Sequence, residues 1–324
     1  MREILCIGQA VIDCITRNPV KDPAKKLVYR ADQISLCVGG DAVNEASLLS
    51  RLGHKVKLAG ALGDDPAGKL ILEEMKRLGV DCSLVDTDRT GARPTPVANL
   101  MVNGDGTRSS YNSTATLLEG YRPDPDLIRA AAEEGVKILS LASLFRAPLD
   151  DPAVIRELVT EAKALGMTVC ADTKIPTYRP VTPADIADLL PMIDYMFPNE
   201  NEGAFFTGED KPEDMARRLS DMGPANVIIK AGADGCYICR GGRQAKEIIH
   251  LPAMDVEAVD STGAGDSFVA GFLSGLLRGM ETVDCAGYGT ACAAACLTRI
   301  GAGEGVRNRE EADLLYRKLK NSRR

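Results

Sequence analysis

The residues best suited to chemistry stand together at 260–272, where the chain reads Asp-Ser-Thr-Gly-Ala-Gly-Asp-Ser-Phe-Val-Ala-Gly-Phe. Gly263, Ala264 and Gly265 leave their backbone amides uncovered, and a helix that begins there directs the positive end of its dipole at the same point. Such a loop can bind a phosphate, or the charge that develops during phosphoryl transfer. Asp266 at its edge is suited to take a proton from an attacking hydroxyl. Taken alone, the segment also fits an ordinary N-capped helix after a Gly-rich turn.

A second glycine-rich segment precedes a helix predicted over Asp41–Arg51. Gly39 and Gly40 allow a ligand to approach the backbone closely, and Asn44, one turn inside the helix, carries an amide that can bind hydroxyl groups. Asp13 follows the predicted first strand and its turn, at the edge of a parallel sheet where ligands bind. These residues are candidates for substrate binding, although a simple turn and a surface acid would have the same pattern.

Two further segments are candidates for a nucleotide and its metal. Asn199 and Glu202 follow a predicted strand, and oxygen donors of this kind can orient magnesium through water beside phosphates. Acids at the start of a helix are common, so the pattern alone favours a helix start. Gly232 and Gly235 lie in a turn between two predicted strands, where an adenine nucleotide could lie against the backbone and Lys230 could reach a phosphate.

Segment 260–272 resembles the C-terminal signature of the ribokinase-like (PfkB) carbohydrate kinases, and segment 39–44 resembles their N-terminal signature. The resemblance covers nearly the whole chain and implies ATP and magnesium as cofactors, with potassium as a further candidate. The matching positions are Asp266 as the catalytic base; Gly263, Ala264 and Gly265 as the anion hole; Asp13, Gly39, Gly40 and Asn44 for the sugar; Asn199, Lys230, Gly232, Gly235 and Thr290 for ATP; Asn199 and Glu202 for magnesium through water; and Asp260 and Thr262 for a monovalent cation.

Three positions depart from the family pattern. Asp41 stands where ribokinases usually carry lysine, Lys174 where many sugar kinases carry asparagine, and Thr290 near a position where asparagine is frequent. The resemblance therefore assigns no role to Lys174. It also leaves two readings for Arg93 and Arg108, which flank a predicted hairpin: contact with an acidic or phosphorylated substrate, or ordinary solvated charge.

The composition argues against several classes of function. The chain has 324 residues and a net charge of −7, which disfavours binding to nucleic acid or to an anionic membrane surface. It contains neither a signal peptide pattern nor about 18 consecutive apolar residues, so no membrane association is expected. The ten cysteines lie mostly in apolar runs, which is typical of reduced thiols and indicates a cytoplasmic protein.

Strand-like apolar runs alternate with helical patterns, including a predicted helix at Pro183–Leu189, over most of the chain. This alternation predicts a mainly parallel sheet covered by helices on both faces. Intervals 11–38 and 94–113 break the pattern with strands and turns, and could pair into a small separate sheet. The resemblance implies the same: one domain over 1–324, with a ribokinase-like three-layer α/β/α fold and a small β-sheet lid formed by these intervals.

The function expected from these residues is ATP-dependent phosphorylation of a hydroxymethyl group on a sugar or sugar acid of the fructose, ribose or ketodeoxygluconate type. A nucleoside or another small alcohol is an alternative acceptor on the same fold. A sugar- or nucleotide-binding regulator without turnover is a second alternative. A dehydrogenase is disfavoured because Gly8 stands alone after the first strand. An exposed edge of the lid sheet could pair with a second copy, which suggests a homodimer.

Overall fold

The computed structural model describes residues 3–19, 30–104, 107–114, 116, 118, 120–244, 247–299 and 305–322. Its strands are β1 (Ile4–Ile7), β2 (Val11–Arg17), β3 (Gln33–Gly39), β4 (Val56–Gly63), β5 (Asp81–Asp88), β6 (Val97–Val102), β7 (Arg108–Asn112), β8 (Ile138–Leu144), β9 (Thr168–Thr173), β10 (Tyr195–Met196), β11 (Asn226–Lys230), β12 (Cys236–Arg240) and β13 (Ile248–Leu251). Its helices are α1 (Asp41–Arg51), α2 (Pro66–Arg77), α3 (Asp126–Glu133), α4 (Pro152–Ala164), α5 (Glu200–Thr207), α6 (Pro212–Met222), α7 (Ala264–Leu277), α8 (Thr282–Leu297) and α9 (Arg309–Ser322).

The larger sheet has the strand order β13-β12-β11-β10-β9-β8-β1-β4-β5. Within this order, each pair of neighbours from β11 to β5 is parallel. Strands β12 and β13 extend the sheet beyond β11 in antiparallel fashion. All four residues of β1 are buried, because β1 lies in the middle of the sheet with helices on both faces. The prediction of a mainly parallel central sheet is confirmed.

The two faces of this sheet belong to different hydrophobic clusters. Ile4 and Cys6 of β1 point into a cluster that includes side chains of α1, α7 and α8. Leu5 and Ile7 point the opposite way, into a cluster that includes side chains of α3 and α4. Since successive side chains of a strand alternate between faces, β1 contributes to both helix layers, as β4 and β8 also do. This arrangement is the predicted three-layer α/β/α fold.

A second, smaller sheet contains β2, β3, β6 and β7 in the order β3-β2-β6-β7. We call it the small sheet. Strand β2 pairs antiparallel with β3 and parallel with β6, and β6 and β7 form the predicted hairpin. These strands fall within the two intervals predicted for the lid. Residues 20–29 and 105–106 of those intervals, and the side chain of Arg108, lie outside the described residues.

The predicted helix at Pro183–Leu189 is wrong. The chain forms a short 3-10 turn at Pro183–Ile186 and another at Leu190–Met192. The predicted segment is short, and Pro191, which offers no backbone N–H, prevents a helix from extending beyond it. A helix this short is marginal by itself, and the chain forms tighter turns instead. Among the described helices, none is long and apolar enough to cross a membrane.

Candidate active site

Asp266 lies in the first turn of α7, and only 5% of its surface is exposed. The helix follows Gly263, whose φ of 75° is in the left-handed region that glycine adopts most readily. The amide of Ala264 donates to the carbonyl of Ser261 at 3.3 Å. No acceptor for the amides of Gly263 and Gly265 occurs within the described part of the chain. Two of the three predicted anion-binding amides, at the positive end of α7, therefore have no acceptor among the residues that the structure describes.

Two side chains hold the carboxylate of Asp266. The amide nitrogen Nδ2 of Asn44, on α1, donates to Oδ2 of Asp266 at 2.7 Å. Nζ of Lys174, just after β9, lies 3.7 Å from Oδ1. Each oxygen thus has its own partner, one neutral and one positively charged. This contact also brings the sugar-binding candidate Asn44 next to the candidate base.

Asp172 is the centre of an ion-pair network behind Asp266. Its carboxylate is fully buried and accepts from Nζ of Lys174 at 3.1 Å through Oδ2. Its other oxygen, Oδ1, pairs with Nζ of Lys230. Lys230 also lies beside the anion-binding loop, because a Cβ placed on Gly265 would be 3.4 Å from its Nζ. One buried carboxylate therefore holds one lysine near the base and another near the loop.

The residues predicted to bind the sugar surround the start of α1. Gly40 has a φ of 95°, and a Cβ placed there would collide with the carbonyl of Gln9. A Cβ on Gly39 would collide with the carboxylate of Asp13, so Asp13 lies directly against this loop. Asp41, the first residue of α1, accepts from Oγ of Ser143 at 2.8 Å and lies 3.5 Å from Nζ of Lys174.

The surrounding charges change the acidity of these carboxyls. Burial, and then the charge of Asp41, raise the pKa of Asp266 to about 7, although Lys174 and the hydrogen bond from Asn44 act in the opposite direction. Burial and the charge of Asp41 also raise the pKa of Asp13 to about 6. A carboxyl with a pKa near 7 is well suited to exchange a proton at neutral pH.

Asn199 and Glu202 form a capping box at the start of α5. Oδ1 of Asn199 accepts from the amide of Glu202 at 3.0 Å, and Oε2 of Glu202 accepts from the amide of Asn199 at 2.9 Å. Oε2 of Glu202 also accepts from the hydroxyl of Thr173 at 3.0 Å. The described residues contain no group of three or more acids, histidines or cysteines placed to hold a metal directly. Side-chain oxygens are the donors that magnesium prefers, and magnesium usually keeps several of its waters.

The remaining predicted ligands lie on neighbouring elements. An isolated parallel β-bridge pairs the backbone of Lys230, at the end of β11, with that of Asn199, just before α5. Gly232 and Gly235 lie at the two ends of the turn that follows β11. Thr290 lies on α8, where its hydroxyl donates to the carbonyl of Ala286 at 2.9 Å.

The pair predicted for a monovalent cation is linked internally. The hydroxyl of Thr262 donates to Asp260 at 2.8 Å. The carboxylate of Asp260 already has a cationic neighbour, since Nη2 of Arg17 lies 3.5 Å away.

Sequence reasoning missed Glu45 and the roles of Asp172 and Lys174. Glu45 is fully buried on α1 and accepts from Oγ of Ser140 at 2.6 Å. Burial, and then the charge of Asp172, raise the pKa of Glu45 well above its usual range. An acid within the apolar face of a helix is the signal that could have identified Glu45. Asp172 and Lys174 stand at the end of an apolar strand. A polar residue at such a position is the same signal that identified Asp13.

Comparison with known proteins identifies the family. Residues 1–309 match the model of the pfkB family of carbohydrate kinases, and the chain belongs to this family. It is 28% identical over 298 residues to a 2-dehydro-3-deoxygluconokinase of Bacillus subtilis, with 88% of each chain covered. It is 27% identical over 299 residues to a ribokinase of Haemophilus influenzae, with 89% of this chain and 90% of the relative covered.

Solved structures agree on the fold. The ribokinase of Arabidopsis thaliana complexed with ribose and ATP superimposes with a TM-score of 0.80 at 22% identity, covering 98% of this chain and 99% of the other. A putative ribokinase II from E. coli in complex with ATP and Mg²⁺ gives a TM-score of 0.78 at 20% identity, covering 98% and 100%. The predicted family, ribokinase-like fold and class of ATP-dependent sugar kinase are confirmed. The roles of individual residues stay predictions.

We expect Asp172→Asn to lower the free energy of unfolding by about 3–5 kcal/mol, because it leaves two lysines without their shared buried partner. Chemical denaturation followed by circular dichroism measures this change. The matched control is Asp188→Asn, since Asp188 pairs with Arg156 at the surface with 62% of its side chain exposed. The control should change stability far less. Equal losses in the two variants would contradict a structural role for the buried network.

Proposed function

We propose that this protein transfers the γ-phosphoryl group of ATP to a hydroxymethyl group of a sugar or sugar acid, with Asp266 as the general base. The observation that carries this proposal is the position of Asp266. Its buried carboxylate lies in the first turn of α7, beside the uncovered amides of Gly263 and Gly265. A proton acceptor and an anion-binding loop are the two groups that attack of an alcohol on phosphorus requires.

Asp266 takes the proton from the attacking hydroxyl. The hydrogen bond from Asn44 fixes the direction of its carboxylate, and the ammonium of Lys174 favours the ionised form. With a pKa of about 7, the carboxylate is ionised in a large fraction of molecules at neutral pH, yet is basic enough to accept a proton as the bond to phosphorus forms.

The amides at the start of α7 stabilise charge on the transferred phosphoryl group. They are fixed before the reaction, so no reorganisation is needed when negative charge develops. Lys230, held by Asp172 beside Gly265, adds a positive charge at the same point. Magnesium, when bound through water near Asn199 and Glu202, would neutralise phosphate charge.

The sugar would lie between the start of α1 and the small sheet, which we propose acts as a lid over a single domain. Asp13 on β2 and the loop at Gly39 and Gly40 offer acceptors and close backbone approach to sugar hydroxyls. Covering the site would exclude water, which otherwise competes as the phosphoryl acceptor. Relatives named for 2-dehydro-3-deoxygluconate, ribose and fructose support sugars and sugar acids as the substrate class.

We also propose a cytoplasmic protein that forms a homodimer through the small sheet. All ten cysteines are free thiols and most are buried, which suits a reducing compartment. Ile34 and Leu36 of β3 and Tyr111 of β7 are 66%, 63% and 64% exposed. The strand register places them on one face, opposite the side that carries Asp13. An exposed apolar face of this kind fits a second copy of the same sheet.

Asp266→Asn should lower kcat by about 10²–10⁴-fold, the usual contribution of a positioned general base, while ATP binding persists. A coupled assay of ADP release over a panel of sugars and nucleosides measures turnover, and calorimetry measures ATP binding. Full activity of this variant would remove Asp266 from the mechanism.

Lys174→Met should move the acid limb of the pH profile of kcat/KM upward by roughly one to three pH units. The ammonium favours the ionised form of Asp266, so its loss raises the pKa of that carboxyl, and activity then appears only at higher pH. Lys174→Arg keeps the charge and should move the limb much less. An unchanged acid limb in Lys174→Met would show that this lysine does not control the base.

Ile34→Asp and Leu36→Asp should each shift the protein from dimer to monomer, because a charge cannot be buried unpaired in an apolar interface. Size-exclusion chromatography with light scattering measures the mass. Leu314→Asp is the matched control, because Leu314 is 49% exposed on α9, away from the small sheet. A wild-type protein that is monomeric at all concentrations would contradict the dimer.

A further inference from the structure

A cavity of about 350 Å³ lies between the small sheet and the carboxyl edge of the larger sheet. Val11 and Val97 line it from the small sheet, together with Asn112. Arg146 and Tyr178, which follow β8 and β9, line it from the larger sheet. The cavity is large enough for a sugar that carries an additional substituent.

Arg146 is the one charged side chain among the described residues that line this cavity. Its Nε donates to the carbonyl of Ile175 at 3.0 Å, which fixes the plane of the guanidinium group. Within the described part of the chain, its two terminal nitrogens have no acceptor. The neighbouring arginines differ in this respect, because Arg122 and Arg179 both pair with Asp151, at 2.8 and 2.9 Å. Arg146 therefore presents an oriented cation to the cavity.

The wall of the cavity is linked by hydrogen bonds to the group of residues around Asp266. Gln9, which lines the cavity, has its amide 3.4 Å from Oγ of Ser143. The amide of Arg146 donates to the carbonyl of Ser143 at 2.9 Å, and Oγ of Ser143 donates to Asp41 at 2.8 Å. Asp41 in turn reaches Lys174 and, through it, Asp266. A chain of hydrogen bonds and ion pairs thus links the wall of the cavity that carries Arg146 to the carboxylates around Asp266.

We propose that Arg146 binds an anionic substituent of the acceptor sugar, a carboxylate or a phosphate, at the end of the substrate away from the hydroxyl that Asp266 deprotonates. This inference rests on the proposed kinase function and adds the charge class of the substrate. The planar guanidinium group can donate two parallel hydrogen bonds to either kind of anion. The carboxylates near Asp266 are not among the described residues that line this cavity. They repel the same anion, which favours the orientation that places the anionic substituent at Arg146.

Kinetics with matched sugars test the proposal. The probes are gluconate and 2-dehydro-3-deoxygluconate for a carboxylate, fructose 6-phosphate for a phosphate, and fructose and ribose as neutral sugars. Arg146→Ala should lower kcat/KM for the preferred anionic sugar by about 10- to 100-fold and change that for neutral sugars little. Arg146→Lys should recover part of the loss. Arg179→Ala removes an arginine whose partner is Asp151 and is the matched control.

Calorimetry separates this inference from the proposed function. Anionic and neutral sugars are titrated into Asp266→Asn protein, with and without Arg146→Ala, so that binding is read without turnover. If Arg146→Ala abolishes the binding of anionic sugars, the inference is supported. This result would support it even if no sugar were phosphorylated and the kinase proposal itself failed. Absence of binding by every anionic probe would overturn it, as would equal losses for neutral and anionic sugars. Comparison of the carboxylate probes with the phosphate probe shows which kind of anion Arg146 binds.

Discussion

The arrangement of the site depends on the buried carboxylate of Asp172. Its two oxygens hold Lys174, just after β9, and Lys230, at the end of β11. An ion removed from water costs several kcal/mol unless it is paired, so the positions of the two lysines are strongly constrained. Lys174 then lies beside the candidate base, and Lys230 lies beside the loop that begins α7. A single carboxylate thereby places positive charge on both sides of the point where phosphoryl transfer would occur.

The topology explains why these charges meet. Carboxyl ends of parallel strands share one edge of a sheet, and β9, β10 and β11 are adjacent there. The two-residue strand β10 lies between β9, which carries Asp172, and β11, which carries Lys230. A long lysine side chain can span the distance between these two strands. Packing of α1 against α7 then brings Asn44 to Asp266, although 222 residues separate them in the chain. The mainly parallel sheet is therefore also the reason that Asp172, Lys174 and Lys230 meet at one edge.

Local patterns could predict the loops but not the charge network. The glycine-rich starts of α1 and α7 were identified because a short spacing of small residues already defines an anion-binding loop. The pairing of Asp172 with Lys230, 58 residues apart, depends on strand order, which spacing does not reveal. Strand β5, at the edge of the larger sheet, was missed because alternating polar residues make it less apolar than the central strands. The helix start that the acids of segment 199–202 favour is the start of α5, where Asn199 and Glu202 form a capping box.

Strand β2 carries two side chains that contact two different loops of the candidate site. Asp13, near its start, lies against the loop that begins α1, and Arg17, at its end, lies 3.5 Å from Asp260 in the loop before α7. Because β2 is paired on both sides, with β3 and β6, it moves as part of a sheet rather than as a flexible segment. A displacement of the small sheet would therefore change the contacts of Asp13 and Arg17 together. The proposed contact of Asp13 with the sugar and the contact of Arg17 with the loop before α7 are thus mechanically linked, since one strand carries both side chains.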